Sequence, residues 1–106
     1  MTAETAGRGA RELDDLERVF KALAHHSRRH ILIVLNALGG RLTAGEIAGR
    51  FSCRWPTTSR HLRVLVDAGL VRVDRRGREW VYVLEAGRLD AVVGGWLKWF
   101  DTGETT

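Results

Sequence analysis

Apolar residues in the first third of the chain recur at intervals of three and four, the spacing of helices that are buried along one face. One such run extends from Leu13 to Ala24, and a second from Arg28 to about Leu38. Ser27 precedes the second run and is a residue type that often caps helix N-termini. Gly39 and Gly40 follow it, and glycine readily adopts the left-handed backbone that ends helices. The pattern predicts two helices.

Two further helices are predicted from local chemistry. Thr43 is followed three residues later by Glu46, the spacing of a capping box, and a short helix is expected over residues 44–51. The next helix begins near Trp55, where Pro56 fits a first turn because its missing N–H would have no partner there. At 100° per residue, one face of this fourth helix contains Thr58, Leu62, Leu65 and Gly69.

The rest of the chain predicts a hairpin and a last helix. Valines alternate with more polar residues over residues 70–74 and 79–84, as in half-exposed strands, and the four residues between them are Arg-Arg-Gly-Arg. A broad apolar stripe then predicts a helix over residues 86–100. The order of four helices, two strands and a helix indicates a mainly α fold, an α+β winged helix. Its third and fourth helices form a helix-turn-helix, and the hairpin is the wing.

Length and composition allow one folded domain. The 106 residues suit a single domain, expected over residues 12–101 between flexible tails at 1–11 and 102–106. No apolar run approaches the roughly 20 residues needed to span a bilayer. The first residues also lack the apolar core of a signal peptide. We expect a cytoplasmic protein with no membrane partner.

Charge is unevenly distributed. The net charge is +4, yet residues 54–78 alone hold seven arginines against two aspartates, which gives +5, while residues 79–106 sum to −3. A basic segment between weakly charged and acidic ends is typical of a protein that binds a polyanion. An ordinary solvated face is the less favoured alternative, because so few acids accompany the arginines.

The fourth helix and the wing tip carry the groups that duplex DNA recognition requires. Arginine can make bidentate contacts with guanine, and hydroxyls can serve bases or phosphates. Arginines at the hairpin tip can neutralise phosphates or enter the minor groove. The predicted DNA-binding residues are Arg54, Trp55, Thr57, Ser59, Arg60, His61, Arg63, Arg75, Arg76 and Arg78. Two alternatives stay open: His61 could pack on the flank of the apolar face, and Trp55 could be a packing staple.

Aromatic residues near the C-terminus indicate an interface. Trp96, Trp99 and Phe100 share one stripe that a single copy would leave partly exposed, and large exposed apolar patches mark interaction sites. Gly94 and Gly95 are poor helix formers, which a close partner helix or a kink would explain. We favour a homodimer seam over an aromatic effector pocket.

Two segments, Ala22–Leu32 and Ser59–Val71, followed by the arginine-glycine wing, resemble the ArsR/SmtB-type winged-helix transcriptional repressors. The resemblance covers roughly residues 13–100. It implies a homodimer that binds an imperfect palindrome and is released from DNA by an inducer. The first and last helices would form the interface, with Leu13, Leu16, Phe20, Leu89, Val92, Val93, Trp96, Trp99 and Phe100 as the predicted contacts.

The chain departs from the metal sensors of that family. Residues 43–47 contain no Cys-x-Cys pair, and residues 86–101 contain no histidine, so neither of the family's two common metal sites can form. We expect no cofactor and no metal, and the effector is unknown. The alternative is a metal- or redox-sensing repressor that uses Cys53 or the cluster His25, His26 and His30. For Cys53 we favour the role of a small buried apolar group, as free cysteines often have.

These observations predict a sequence-specific DNA-binding regulator, a repressor that binds a palindromic operator in double-stranded DNA as a homodimer. A winged-helix protein–protein adaptor is the rival, disfavoured by the basic wing. An enzyme is not expected. Cys53 and His61 would lie roughly 12 Å apart along a helix, against about 3 Å for a nucleophile and its base.

Overall fold

The computed structural model describes residues 3–51 and 54–100. The order of elements confirms the predicted winged helix-turn-helix, with one additional strand. In chain order the elements are α1 (Ala3–Leu23), α2 (His26–Ala37), β1 (Arg41–Thr43), α3 (Ala44–Arg50), α4 (Trp55–Asp67), β2 (Val71–Arg76) and β3 (Glu79–Leu84), followed by a helical segment over residues 86–100.

The last helix has an irregular middle. It is α-helical over Ala86–Leu89 and Gly95–Leu97, with a wider π-helical turn over Asp90–Gly94 and a 3₁₀ turn over Lys98–Phe100. A Cβ placed on Gly94 would come within 3.2 Å of Asp90 Oδ1, so the turn is tight at this glycine. Gly94 therefore ends a π-helical turn and Gly95 directly follows it, a feature that regular helical periodicity does not predict.

Two helix starts differ from the sequence-based expectation. The N-cap of α2 is His25, whose Nδ1 accepts a hydrogen bond from the Ser27 backbone N–H at 3.2 Å, so the prediction of Ser27 as the cap was wrong. A ring nitrogen performs the role expected of a hydroxyl.

Helix α1 begins at Ala3 rather than near Leu13, which places residues 3–11 of the predicted flexible tail in a helix. Alanine, glutamate and arginine there favour helix without any apolar periodicity. The predicted tail at 102–106 lies outside the described residues.

The sheet contains a strand that the sequence analysis missed. β1 pairs antiparallel with β3, Leu42 opposite Tyr82, and the strand order is β1-β3-β2. Three residues are too few to show alternation, so pairing with β3 determines this strand. The hairpin of β2 and β3 turns at Gly77 and Arg78, where Gly77 has a φ of +61° that suits glycine. Arg75 and Arg76 therefore belong to β2 rather than to the loop.

The core lies between α1, α2, α3, α4 and the sheet. Its fully buried side chains include Leu35, Ile47, Leu62, Leu65 and Leu70. The predicted buried face of α4 is confirmed, since Thr58, Leu62 and Leu65 are all inaccessible. Because these residues fix the rotation of α4 about its axis, the opposite face points outward.

The capping box that starts α3 is present as predicted. The Thr43 hydroxyl accepts from the Glu46 N–H at 3.1 Å, and the Thr43 N–H donates to the Glu46 carboxylate at 3.0 Å. The bond from the Thr43 backbone is the main cause that lowers the pKa of Glu46 below its usual 4.5, followed by the Thr43 side chain. The ionised Glu46 carboxylate therefore stabilises the fold at pH values above the pKa that Glu46 has in the unfolded chain. This stabilisation is lost as the pH falls through the lower pKa of Glu46 in the folded protein.

Replacing Thr43 with alanine should lower the free energy of unfolding by about 1 kcal/mol, because the N–H of Glu46 loses its acceptor. Urea unfolding at pH 7 and one fixed protein concentration measures the loss. Thr43→Ser, which keeps the hydroxyl, is the control and should retain most of the stability. Equal stability of the alanine variant and the unmodified protein would show that the box does not stabilise the fold.

Candidate nucleic-acid interface

The outward face of α4 is polar and basic. Thr57, Arg60 and Arg63 are exposed on the outward side of the helix. Ser59 is half-buried and lies at the border between this side and the buried face, three residues before Leu62. The helix starts after Arg54, which makes no side-chain capping bond, with Pro56 in the first turn. The hydroxyls thus lie in the first two turns, and the arginines continue the same surface toward the helix centre.

The arginines of α4 are available to a ligand. Within the described ranges, no ion pair or side-chain hydrogen bond involves Arg54, Arg60 or Arg63. Trp55, at the start of the helix, keeps 36% of its surface exposed. Free guanidinium groups beside hydroxyls and an aromatic ring can contact both phosphates and base edges.

His61 is directed away from this open surface. Its ring packs against that of His25 with 4.4 Å between centroids, and Nδ1 lies 3.4 Å from Arg28 Nη1. Burial lowers the pKa of His61 below its usual value, and the neighbouring His25, Arg28 and Arg60 lower it further. The ring is therefore disfavoured as a cation at neutral pH. This geometry supports the packing alternative for His61, and no sequence signal indicated its contact with Arg28, 33 residues away in the chain.

The arginines of the wing differ in their contacts. The Arg75 guanidinium lies 5.1 Å from the centroid of the Trp80 ring, and its Nε donates to the Gly77 carbonyl at 3.2 Å. Arg76 and Arg78 are exposed and have no ion pair in the described part of the chain. The tip therefore presents positive charge at the end of a short, fully paired hairpin.

Arg72, which belongs to the same basic segment, is neutralised. It pairs with Asp74 at 3.0 Å and with Glu85 at 2.5 Å. Hydrogen bonding to Arg72 is also the largest cause that lowers the pKa of Asp74. The high arginine content of residues 54–78 thus overstates the charge that a polyanion would meet, because one arginine is paired within the fold.

A second surface, apolar rather than basic, is formed by α1 and the helical segment over residues 86–100. Leu13 is 65% exposed and Trp99 84%, while the Phe20 and Trp96 rings meet edge to face with 5.2 Å between centroids. A groove of about 590 Å³ runs between the two elements. Other predicted interface residues are more buried within their own chain, namely Leu16, Leu89, Val92 and Val93.

The structure places only some of the candidate metal- and redox-sensing residues close to one another. His26 lies within α2, so it and His30 share one helical face, with 6.3 Å between ring centroids. Among the residues that the structure describes, no group of three or more histidine, cysteine, aspartate or glutamate side chains could hold a metal ion. Cys53 lies outside the described residues.

No helix within residues 3–51 and 54–100 has the length and hydropathy to cross a membrane.

Known proteins share this architecture. A helix-turn-helix domain family matches residues 23–74, from the end of α1 into β2. The chain is 34% identical to the transcriptional repressor SdpR of Bacillus subtilis over 89 residues, which cover 84% of this chain and 97% of that protein.

Solved structures agree with these sequence matches. An ArsR-like transcriptional regulator from Rhodococcus sp. RHA1 superposes with a TM-score of 0.71 at 27% identity, covering 81% of this chain and 79% of that one. The homodimeric winged helix-turn-helix DNA-binding domain of a possible ArsR-family regulator from Mycobacterium bovis gives a TM-score of 0.68 at 28% identity, covering 100% and 95%. With the basic outward face of α4 and the wing beside it, these matches show that the chain belongs to the ArsR/SmtB-type family of winged-helix DNA-binding transcriptional regulators.

Proposed function

We propose that the protein is a repressor that binds a palindromic operator in double-stranded DNA as a homodimer. The observation that carries the proposal is the division of α4 into two faces. Leu62 and Leu65 are buried in the core, while Arg60 and Arg63 are exposed and unpaired within the described residues. A helix of this kind can enter the major groove and read it with its outward side chains.

The side chains of α4 would divide the contacts between them. Thr57 and Ser59 lie near the helix start, which approaches base edges in helix-turn-helix complexes. Arg60 and Arg63 would contact guanine or phosphate, and Arg54 a phosphate, with Trp55 against the sugar or a thymine methyl. His61 would act through packing rather than by touching DNA, because its ring is held by His25 and Arg28.

The wing would add contacts that do not depend on sequence. Arg76 and Arg78 are free to neutralise phosphates on either side of the groove. Arg75 is already held over Trp80, so less side-chain entropy is lost if it contacts DNA. Each neutralised phosphate releases counterions, and binding should therefore weaken steeply with added salt.

The apolar surface of α1 and residues 86–100 supports the homodimer. A single copy leaves Leu13, Trp99 and Phe100 in water, and burying such side chains is the main favourable term in association. The relative from Mycobacterium bovis is a homodimer, and SdpR is a repressor. Two α4 helices related by a two-fold axis would enter major grooves about 34 Å apart, as a palindrome requires. We expect such a regulator to act in the cytoplasm.

Replacing both Arg60 and Arg63 with alanine should strongly weaken sequence-specific binding. Each lost bidentate contact costs about 1–3 kcal/mol of discrimination, so the double change should weaken operator binding about 30-fold or more. A gel-shift titration against duplexes selected by the unmodified protein measures this loss. The control Arg11→Ala with Arg18→Ala removes the same charge from exposed positions of α1 and should bind nearly normally. If the two double variants bind equally, the outward face of α4 does not read DNA.

Replacing Trp99 with glutamate should dissociate the dimer, because a carboxylate would have to be buried where the indole ring packs. We expect the dimer dissociation constant to rise about 100-fold, the size of effect found for buried aromatic anchors. Sedimentation velocity over a concentration series measures it. Ile33→Glu is the matched control, since Ile33 is 66% exposed and belongs to α2, which is not one of the two elements that form the apolar surface. A Trp99 variant that remains as dimeric as the Ile33 variant would place the interface elsewhere.

A further inference from the structure

Arg88, at the start of the C-terminal helical segment, contacts two other parts of the fold. Its Nη2 lies 3.4 Å from Asp15 Oδ1 on α1. Its Nε lies 3.0 Å from the point where a Cβ on Gly69 would stand, directly after α4. Of the ion pairs among the described residues, this is the one that joins two separate helical elements. The others lie within α1, within β2, or between β2 and Glu85 directly after β3.

Gly69 makes this approach possible. It ends α4 with a φ of +78°, a conformation that L side chains rarely adopt, and its N–H donates to the Val66 carbonyl at 2.9 Å. The next residue, Leu70, donates to the Leu65 carbonyl at 3.0 Å and is fully buried. A Cβ on Gly69 would push the Arg88 guanidinium back by a few tenths of an ångström. The glycine therefore serves both the helix end and the contact from the C-terminal segment.

The charge of Arg88 complements the end of α4. The last carbonyls of a helix carry partial negative charge, and cations near them are stabilising. α4 has no basic residue in its own last turn, so Arg88 supplies that cation from another element. Its Nε is buried and has no hydrogen-bond partner among the described residues. The Arg88 guanidinium is therefore held by its ion pair with Asp15 and by the space that Gly69 leaves.

We propose that Arg88 is a positioning residue for DNA binding. It connects the end of α4 to α1 and to the C-terminal segment, the two elements of the proposed dimer interface. The inference rests on the proposed function, because the angle between α4 and that interface matters only when two α4 helices must fit successive major grooves. Binding surfaces generally need their side chains held within about 0.5 Å and 10–20° of the productive geometry.

The test compares two duplexes selected with the unmodified protein, the full palindrome and a single half-site. Arg88→Met keeps the length and packing of the side chain but removes its charge. We expect its affinity for the palindrome to fall about tenfold or more, with half-site affinity and the dimer dissociation constant unchanged. Arg88→Lys should recover part of the loss. Arg18→Met, which removes an exposed charge from α1, is the matched control and should bind the palindrome within about twofold of the unmodified protein.

Several outcomes would overturn the inference. An equal loss on both duplexes would show a general structural role, and no loss would show no role. If Arg88→Met fails to fold or dimerise, Asp15→Asn removes the partner of Arg88 without touching α4. It should then show a smaller loss that is again confined to the palindrome, and unchanged binding would refute the proposal. If the unmodified protein does not dimerise or prefers no sequence, the proposed function itself fails, and that result is separate from the behaviour of the variants.

Discussion

Burial of one face of α4 is the constraint on which the rest of the structure depends. Leu62 and Leu65 are almost fully excluded from water, and Thr58 lies on the same face. Burying each leucine contributes roughly 2 kcal/mol, so the helix cannot rotate about its axis without losing much of the core. The positions of Arg60 and Arg63 in solvent follow from this packing rather than from any preference of their own. The core therefore orients the proposed DNA-binding surface.

The molecule separates two kinds of surface. The exposed cations of α4 and the wing tip form a basic surface. The exposed aromatic residues of α1 and residues 86–100 form an apolar surface. Arg72 shows that this separation depends on pairing as well as on sequence, because Asp74 and Glu85 neutralise it. In the proposed dimer the apolar surface sets the distance between two α4 helices, and the basic surface contacts the DNA.

Elements whose signals are local could be predicted from the sequence. The buried face of α4, the capping box of Thr43 and the hairpin each depend on residues within a few positions of one another. Strand β1 could not be predicted, because its three residues form a strand only by pairing with β3, about 40 residues later. The packing of His61 on Arg28 and the contact of Arg88 with Gly69 also depend on the tertiary fold. For the predicted site, the sequence indicated which face of α4 is exposed but could not show which cations are paired.

The most direct test of the central claim is a hydroxyl-radical footprint of the unmodified protein on the duplex that it selects from a random-sequence pool. Two copies that each place α4 in a major groove should protect two stretches on one face of the duplex, with centres about 10–10.5 base pairs apart. A single protected stretch, or uniform weak protection without a preferred site, would contradict the account.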